Sequence, residues 1–147
     1  MKITRSTQTL LMGALTLALL LTACAPQNKI QTPEGQALVE QGNAYMRCIQ
    51  ESDFNCAYAL MSAGAKQQID GAVKLAGSMV NIPQLVEAYG PQISGWTFDQ
   101  VQFSTRNGRT IGSLKGEVEM PDGKPHQVDL DFEKDGETWM VRSSSIE

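Results

Sequence analysis

The chain has 147 residues, of which 12 are basic and 16 acidic, giving a formal net charge of −4. This length suits one domain after a short leader and is enough to bury a core without a structural metal. The acidic balance and the absence of a basic patch disfavour nucleic acid and anionic lipid headgroups as partners. One histidine and three scattered cysteines do not make a zinc site, and no cofactor motif is present, so we expect neither metal nor cofactor.

Residues 1–23 have the layout of a secretory signal peptide. Lys2 and Arg5 precede an apolar run over residues 10–22. As a helix this run would span about 20 Å, which is short of the roughly 30 Å bilayer core. The sequence LTAC at residues 21–24 then resembles the lipobox of bacterial lipoproteins, in which the cysteine becomes the first mature residue.

The lipobox resemblance implies cleavage after Ala23, a diacylglyceryl thioether on Cys24, and an acyl chain such as palmitate on its new amine. Several acyl chains would anchor the protein stably to the cell membrane, outside the cytoplasm. Ala25, in place of Asp, resembles sorting to the outer membrane in a Gram-negative cell. An ordinary signal peptide and an uncleaved anchor are the alternatives. Cleavage would remove two basic and no acidic residues, leaving a mature net charge of −6.

Residues 24–32 form the lipidated cysteine and a polar tether, and residues 33–147 form one domain. Thr32 and Pro33 predict the start of a helix that runs to about residue 50. Asp53 caps a short second helix from Phe54 to about residue 61. A predicted break at residues 62–64 is followed by a third helix with apolar positions at Ile69, Ala72, Val73, Ala76 and Met79. A fourth helix ends at Tyr89. We expect the three tyrosines of these helices to lie in the core with bonded hydroxyls: Tyr45, Tyr58 and Tyr89.

From Trp96 onward the apolar period changes to two. Four strands are predicted, at about residues 96–105, 110–120, 126–134 and 138–146, with turn signals between them. We take the turns as residues 107–108, 122–124 and 135–136. The predicted pairs are Phe103–Gly112, Val101–Leu114, Val118–Val128, Gly116–Leu130, Leu114–Phe132, Phe132–Trp139 and Leu130–Val141. All three hairpins then agree on one apolar face.

The first strand changes phase, because Trp96 and Phe98 are even-numbered whereas Val101 and Phe103 are odd-numbered. A bulge at residues 99–100 would reconcile them and bring Phe98 to Gly116 and Trp96 to Val118. The acids of the central hairpin have the opposite parity and should lie on the outer face: Glu117, Glu119, Asp129, Asp131 and Glu133. On that face we expect Lys115 opposite Asp131 and a like-charge pair of Glu117 and Asp129.

Cys48 and Cys56 fall near the end of one predicted helix and early in the next. A tight turn could bring their Cα atoms within the roughly 7 Å that a disulfide needs, and an extracytoplasmic location permits oxidation. We predict a disulfide between them, with two buried free thiols as the alternative.

Two segments carry a family resemblance. SDFNCAYALMS at residues 52–62 and EKDGETWMV at residues 133–141 resemble segments of cystatin-like cone domains. These belong to the nuclear transport factor two-like superfamily, several of whose members occur as bacterial lipoproteins of unknown function. The resemblance implies an α+β fold in which N-terminal helices pack in the concave face of a curved four-stranded antiparallel meander. It implies no activity, because that fold hosts isomerases, dehydratases and binding domains.

We predict a non-enzymatic, membrane-anchored module of the cell envelope that binds a protein or a small apolar ligand. One alternative is an isomerase- or dehydratase-like enzyme, and its weak catalytic candidates are Asp99 as general base and His126 at the rim. Another is a structural envelope protein that forms a homodimer through the outer sheet face. Residues that would line a ligand in the cone are Trp96, Phe98, Phe103, Leu114, Phe132 and Trp139.

Overall fold

Helix α1 spans Pro33–Gln50 and begins as the sequence predicts. The Thr32 hydroxyl accepts a hydrogen bond from the backbone N–H of Gly35 at 3.0 Å, and Pro33 occupies the first helical position. The computed structural model describes residues 28–76 and 82–147, with side chains described for residues 28–74 and 86–147. The leader, Cys24 and Met79 lie outside the described residues.

Three further helices follow: α2 (Phe54–Ala59), α3 (Ala63–Ala76) and α4 (Ile82–Tyr89), then a 3₁₀ turn at Gly90–Gln92. The Asp53 carboxylate caps α2 by accepting from the backbone N–H of Cys56 at 2.9 Å. The predicted break at residues 62–64 is too long. Ser62 caps α3 through Ala65, so Gly64 already lies in the first helical turn. Tyr89 is 58% exposed and does not lie in the core, contrary to the prediction.

The sheet contains β1 (Gly95–Arg106), β2 (Arg109–Glu119), β3 (Pro125–Asp135) and β4 (Thr138–Ile146), in that spatial order and all antiparallel. The α+β fold class and its four-stranded meander are therefore confirmed. Leu130 and Phe132 are buried on the face that packs on the helices. Other buried core residues include Leu38, Tyr45, Met46, Val101, Leu114, Val118, Val128, Trp139 and Val141.

The first hairpin has the predicted register. Asn107 and Gly108 both have positive φ, as a two-residue type I′ turn requires. Val101 pairs with Leu114 and Phe103 with Gly112. The predicted bulge is also present, between Phe98 and Gln100, and it pairs Phe98 with Gly116 and Trp96 with Val118.

The second hairpin is shifted by two residues from the prediction. Glu119 pairs with Pro125, so five residues rather than three connect the strands. The cause is Pro121, which follows Met120 in a β-turn closed by a hydrogen bond from the Gly123 N–H to the Met120 carbonyl at 3.1 Å. The observed pairs are Val118–His126, Gly116–Val128, Leu114–Leu130 and Gly112–Phe132. A shift of two preserves the face of every side chain.

The third hairpin is also shifted, because Gly136 and Glu137 form its turn rather than Asp135 and Gly136. Gly136 has a φ of 62° and stands at the first central position, as a type II′ turn demands. Phe132 therefore pairs with Val141 instead of Trp139. A bulge leaves Arg142 unpaired and places Ser144, rather than Val141, opposite Leu130.

Candidate functional site

The concave face of the sheet is covered by α1, and glycines allow the close approach. A Cβ added at Gly42 would lie 3.1 Å from the Phe98 ring and closer still to a methyl group of Leu114. A Cβ at Gly112 of β2 would lie 2.8 Å from a methyl group of Leu38. These distances leave no space between α1 and β2, so this part of the cone is occupied by side chains of the chain itself.

The six residues predicted to line a ligand are built into this packing. Leu114, Phe132 and Trp139 are buried, whereas Trp96, Phe98 and Phe103 are partly buried and pack against the core. The Trp96 indole N–H donates to the Asn43 side-chain oxygen of α1 at 2.9 Å. The rings of Phe103 and Trp139 stack with centroids 5.7 Å apart. The structure therefore brings all six together as parts of the contact between sheet and helix.

Tyr45 places a hydroxyl inside the cone. Its oxygen lies 3.1 Å from the Ser144 hydroxyl, which faces the helix because of the bulge at Arg142. Burial raises the pKa of Tyr45 above its ordinary value of 10.0, and the hydrogen bond with Ser144 only partly opposes that shift. The hydroxyl is therefore a neutral, bonded group at neutral pH, as the sequence analysis expected of this residue.

Asp99, the predicted general base of the enzymatic alternative, lies exposed at the β1 bulge. Its backbone carbonyl accepts a hydrogen bond from the Asn28 side-chain amide. The residues around it form a shallow groove of about 450 Å³, lined by Asn28 and residues 99–102. Asp99 therefore lies at the edge of the sheet, next to the segment that leads into α1.

His126, the second weak candidate, lies at the rim of the sheet opposite Val118. Its Nε2 atom is 3.0 Å from the Asp122 carboxylate in the β2–β3 connection. The backbone N–H of Lys124 and then the His126 ring lower the pKa of Asp122. His126 and Asp122 thus close the turn between β2 and β3. The hydrogen-bond partner of His126 is Asp122, and Asp99 lies elsewhere, at the β1 bulge.

Lys134 also contributes to the concave side of the sheet, although no role was predicted for it from the sequence. It pairs with Trp139, so its side chain leaves β3 on the same face as Phe132. Its ammonium nitrogen lies 5.1 Å from the centre of the Trp139 ring and 2.8 Å from the Glu34 carboxylate. The hydrogen bond with Glu34 raises the pKa of Lys134. The alternation of residues 130–134 could have revealed this position, because Lys134 has the parity of the apolar face.

The outer face of the sheet is polar, and the shifted register changes its predicted pairs. Lys115 meets Asp129 rather than Asp131, at 3.4 Å, and Glu117 meets Gln127, so the predicted pair of carboxylates does not form. Asp131 instead accepts hydrogen bonds from two hydroxyls at 2.6 and 3.3 Å, those of Ser113 and Ser143. A groove of about 390 Å³ lies here, lined among others by Ser113, Lys115, Asp129, Asp131 and Ser143.

Cys48 and Cys56 lie at disulfide-bonding distance, with Cα atoms 5.5 Å apart. Cys48 is at the end of α1 and Cys56 is in α2, as the predicted helices require. A bond here would tie the two helices together beside Ala57, which is fully buried.

Another surface groove, of about 490 Å³, lies along α1 and is lined by Ile30, Gln31, Gln36, Val39, Glu40, Asn43, Ala44 and Arg47. Within residues 28–76 and 82–147, no three histidine, cysteine, aspartate or glutamate side chains are grouped as a metal ion would need. None of the helices described in these ranges has the length and hydropathy of a membrane-spanning segment.

Comparisons with known proteins bear on the fold. Neither a family model nor a curated protein matches the chain. Among solved structures, a five-substitution variant of the designed protein Rd1NTF2_05 aligns with a TM-score of 0.51. It is 9% identical, and the alignment covers 78% of this chain and 99% of that one. A protein from Sphaerobacter thermophilus aligns with a TM-score of 0.37 and 18% identity, over 74% of this chain and 93% of its own.

The likeness to the designed protein shows that the chain has a nuclear transport factor two-like α+β fold. The fold predicted from residues 52–62 and 133–141 is thereby confirmed. This fold is compatible with both enzymes and binding modules, so function has to be argued from the side chains.

Proposed function

We propose that this protein is an extracytoplasmic lipoprotein that acts as a non-enzymatic interaction module, with a cone that serves as a hydrophobic core. The observation that carries the proposal is the close packing of α1 on β2. Gly42 and Gly112 allow the two elements to approach so closely that no space for a ligand is left between them. The sequence LTAC at residues 21–24 supports the lipid anchor. With the cone occupied, the outer surface is the part of the domain available to a partner protein.

The lipid anchor is tested by metabolic labelling with palmitate, followed by membrane fractionation, of the wild type and the Cys24→Ala variant. We expect label and membrane association in the wild type, and loss of both in the variant. An ordinary signal peptide would give a soluble, unlabelled product with its leader removed. An uncleaved anchor would give an unlabelled membrane protein whose mass still includes residues 1–23.

The cone is tested with an environment-sensitive apolar dye. We expect no saturable binding to the wild type, because a filled core has no site for it. Leu38→Ala removes the side chain that faces Gly112 and should leave a cavity too small for the dye but large enough for benzene, whose binding is followed by NMR. Val73→Ala, which also truncates an apolar side chain to alanine but at an exposed position, is the control. Stoichiometric, saturable dye binding by the wild type would contradict the proposal.

The enzymatic alternative assigns the general base to Asp99. An Asp99→Asn variant would then abolish turnover of cyclic ketone-like substrates by the wild type. We expect no turnover by either protein, because Asp99 is exposed at the sheet edge. Turnover by the wild type that the substitution removes would replace the present proposal.

The proposal includes oxidation of Cys48 and Cys56, which an extracytoplasmic location permits. Because Cys48 is buried, the protein is unfolded in denaturant and alkylated without prior reduction, and intact-mass analysis should then show no alkylation at these two residues. Two added alkyl groups would indicate free thiols. The homodimer alternative is examined separately by light scattering in detergent, where a protein mass twice that of one chain would favour it.

A further inference from the structure

Strand β1 lies at one edge of the sheet, and its bulge interrupts regular pairing at Asp99. A bulge leaves a residue out of the ladder and bends the strand. An open strand edge also exposes backbone groups that need partners. The backbone around Asp99 and Val101 therefore presents groups that need partners other than β2, on the side of β1 that faces away from it.

Residues just before α1 satisfy those groups. The side-chain oxygen of Asn28 accepts from the Val101 N–H at 3.0 Å, and the Asn28 amide nitrogen donates to the Asp99 carbonyl. The backbone N–H of Lys29 donates to the Val101 carbonyl at 3.1 Å. Asn28 thus acts like a strand residue whose side-chain amide replaces a peptide group. We call Asn28, Lys29 and their bulge partners Asp99 and Val101 the β1 clasp.

Hydrogen bonds also hold the short segment between the clasp and α1. The Lys29 carbonyl accepts from the backbone N–H of Thr32 at 3.0 Å and from its hydroxyl at 2.7 Å. The same Thr32 hydroxyl caps α1 through Gly35, and Ile30 packs against the core. The position of Asn28 is therefore fixed relative to both the helix and the sheet.

We infer that the β1 clasp turns the lipid anchor into an orienting device and holds the β1 edge of the domain against the lipid surface. This rests on the proposed lipidation of Cys24. Four residue steps separate Cys24 from Asn28 and span at most about 14 Å when extended. The β1 edge therefore lies near the lipid headgroups, while β4 lies farther out by three strand spacings, again about 14 Å.

The charges of the domain fit this arrangement. The outer-face carboxylates lie on β2 and β3, and an edge-on domain keeps that face out of flat contact with anionic headgroups. On the lipid side, the exposed ammonium of Lys29 and the exposed carboxylate of Asp99 offset each other, so the clasp brings no net charge to the headgroups. At the far edge, Val141 of β4 already exchanges hydrogen bonds at 2.8 and 2.9 Å with Leu60 and Ser62.

Energy transfer to labelled lipid tests the orientation. The full-length protein is reconstituted in phosphatidylcholine vesicles that contain an acceptor-labelled lipid. A donor dye is attached through Gln102→Cys on β1 or Ser143→Cys on β4. These two exposed positions lie in one cross-strand row with Ser113 and Asp131, so they differ in strand and not in height along it. Protein without an introduced cysteine controls for labelling at native thiols.

We expect clearly higher transfer from position 102 than from position 143, and Asn28→Ala should at least halve the difference. Gln31→Ala is the matched control, because Gln31 is exposed in the same segment and its side chain forms no hydrogen bond with the described residues. Equal transfer from both positions in vesicle-bound wild type would overturn the orientation while leaving the anchor intact. Absence of both palmitate and vesicle association would overturn the anchor, and the orientation with it.

Hydrogen exchange tests the clasp itself, independently of lipid. Losing the Asn28 acceptor should speed exchange of the Val101 amide about fivefold, as expected for one net hydrogen bond. Gln31→Ala should leave that rate unchanged. An unchanged Val101 rate in Asn28→Ala would show that the side chain does not hold the strand edge and would overturn the inference.

Discussion

Helices α1 and α3 both carry apolar residues at helical spacing, but they differ in how much of that apolar side is buried. On α1 that side is buried along the length of the helix, whereas the described residues of α3 are buried mainly near its start. Along α1, the Leu38, Tyr45 and Met46 side chains are at most 3% exposed. Along α3, Ala65 is buried near the helix start, Ile69 is partly buried, and Val73 is 40% exposed. Helical periodicity therefore identified an apolar side on each helix but did not show which side had a surface to pack on.

The difference comes from the partner surface. Where α1 meets the sheet, Gly42 of α1 and Gly112 of β2 let backbone and side chains approach closely. Helix α3 is held mainly near its start, where Ser62 bonds to Val141 and Lys66 donates to the Ala59 carbonyl at 3.3 Å. Farther along, the Asp70 carboxylate accepts a hydrogen bond from the Tyr58 hydroxyl at 3.1 Å. Apart from the packing of Ala65 and Ile69, these contacts of the described α3 residues are polar and local, so α3 depends less on the core than α1 does.

Leu38→Ala should destabilise the protein far more than Val73→Ala. Leu38 is fully buried, so its truncation should lower the free energy of unfolding by about 2–5 kcal/mol. Val73 is 40% exposed, and its truncation should change that free energy by no more than about 0.5 kcal/mol. Urea unfolding of both variants measures the contrast. Equal losses would mean that α3 is packed as firmly as α1.

The same glycine-to-alanine substitution should have opposite signs in the two helices. Gly71 of α3 has open space where a Cβ would lie, so Gly71→Ala should stabilise by up to about 1 kcal/mol through helix propensity. In Gly42→Ala the same gain is offset by crowding against Leu114 and Phe98, and we expect a net loss of about 1 kcal/mol. Thermal unfolding of the two variants side by side shows the signs. Stabilisation by Gly42→Ala would mean that the cone has spare volume.

The smallest effect concerns Tyr45 and appears at high pH. Because the pKa of Tyr45 is raised in the folded protein, the unfolded chain ionises first as pH rises above its ordinary 10.0. The stability that the neutral tyrosine contributes is fully present below pH 10 and is lost as pH rises toward the folded pKa. Tyr45→Phe should lose less than about 1 kcal/mol at pH 7, because Ser144 is exposed and can bond to water.

The measurement is the free energy of unfolding of wild type and Tyr45→Phe at pH 7 and between pH 9 and 11. The wild type should lose its advantage across the alkaline range and fall below the variant. Parallel pH profiles would indicate that water reaches the Tyr45 hydroxyl in the folded protein.

Much of the fold was predictable because local signals suffice for it. Thr32 and Pro33 located the start of α1, and Asn107-Gly108 fixed the first hairpin through its φ requirement. The phase change between Phe98 and Val101 revealed the β1 bulge. In each case the residues that carry the signal also make the structure.

The other two hairpin registers were wrong for one physical reason. A shift by two residues keeps every side chain on its face, so the agreement of apolar positions could not detect it. Only the turns decide such a shift, through Pro121 in one and the first-position Gly136 in the other. The error left the core assignment intact, but it exchanged the predicted partner of Lys115 and removed the expected pair of Glu117 and Asp129.

Residue parity and turn chemistry act locally, and they were enough to predict the α+β architecture, the apolar face of the sheet and the outward acids. The tertiary structure alone decided that α1 fills the cone, that Ser144 reaches Tyr45, and that Asn28 holds the β1 edge. Asn28 lies 71 positions from Asp99 in the sequence, and Tyr45 lies 99 positions from Ser144. They depend on how separate elements meet, and no local pattern encodes that.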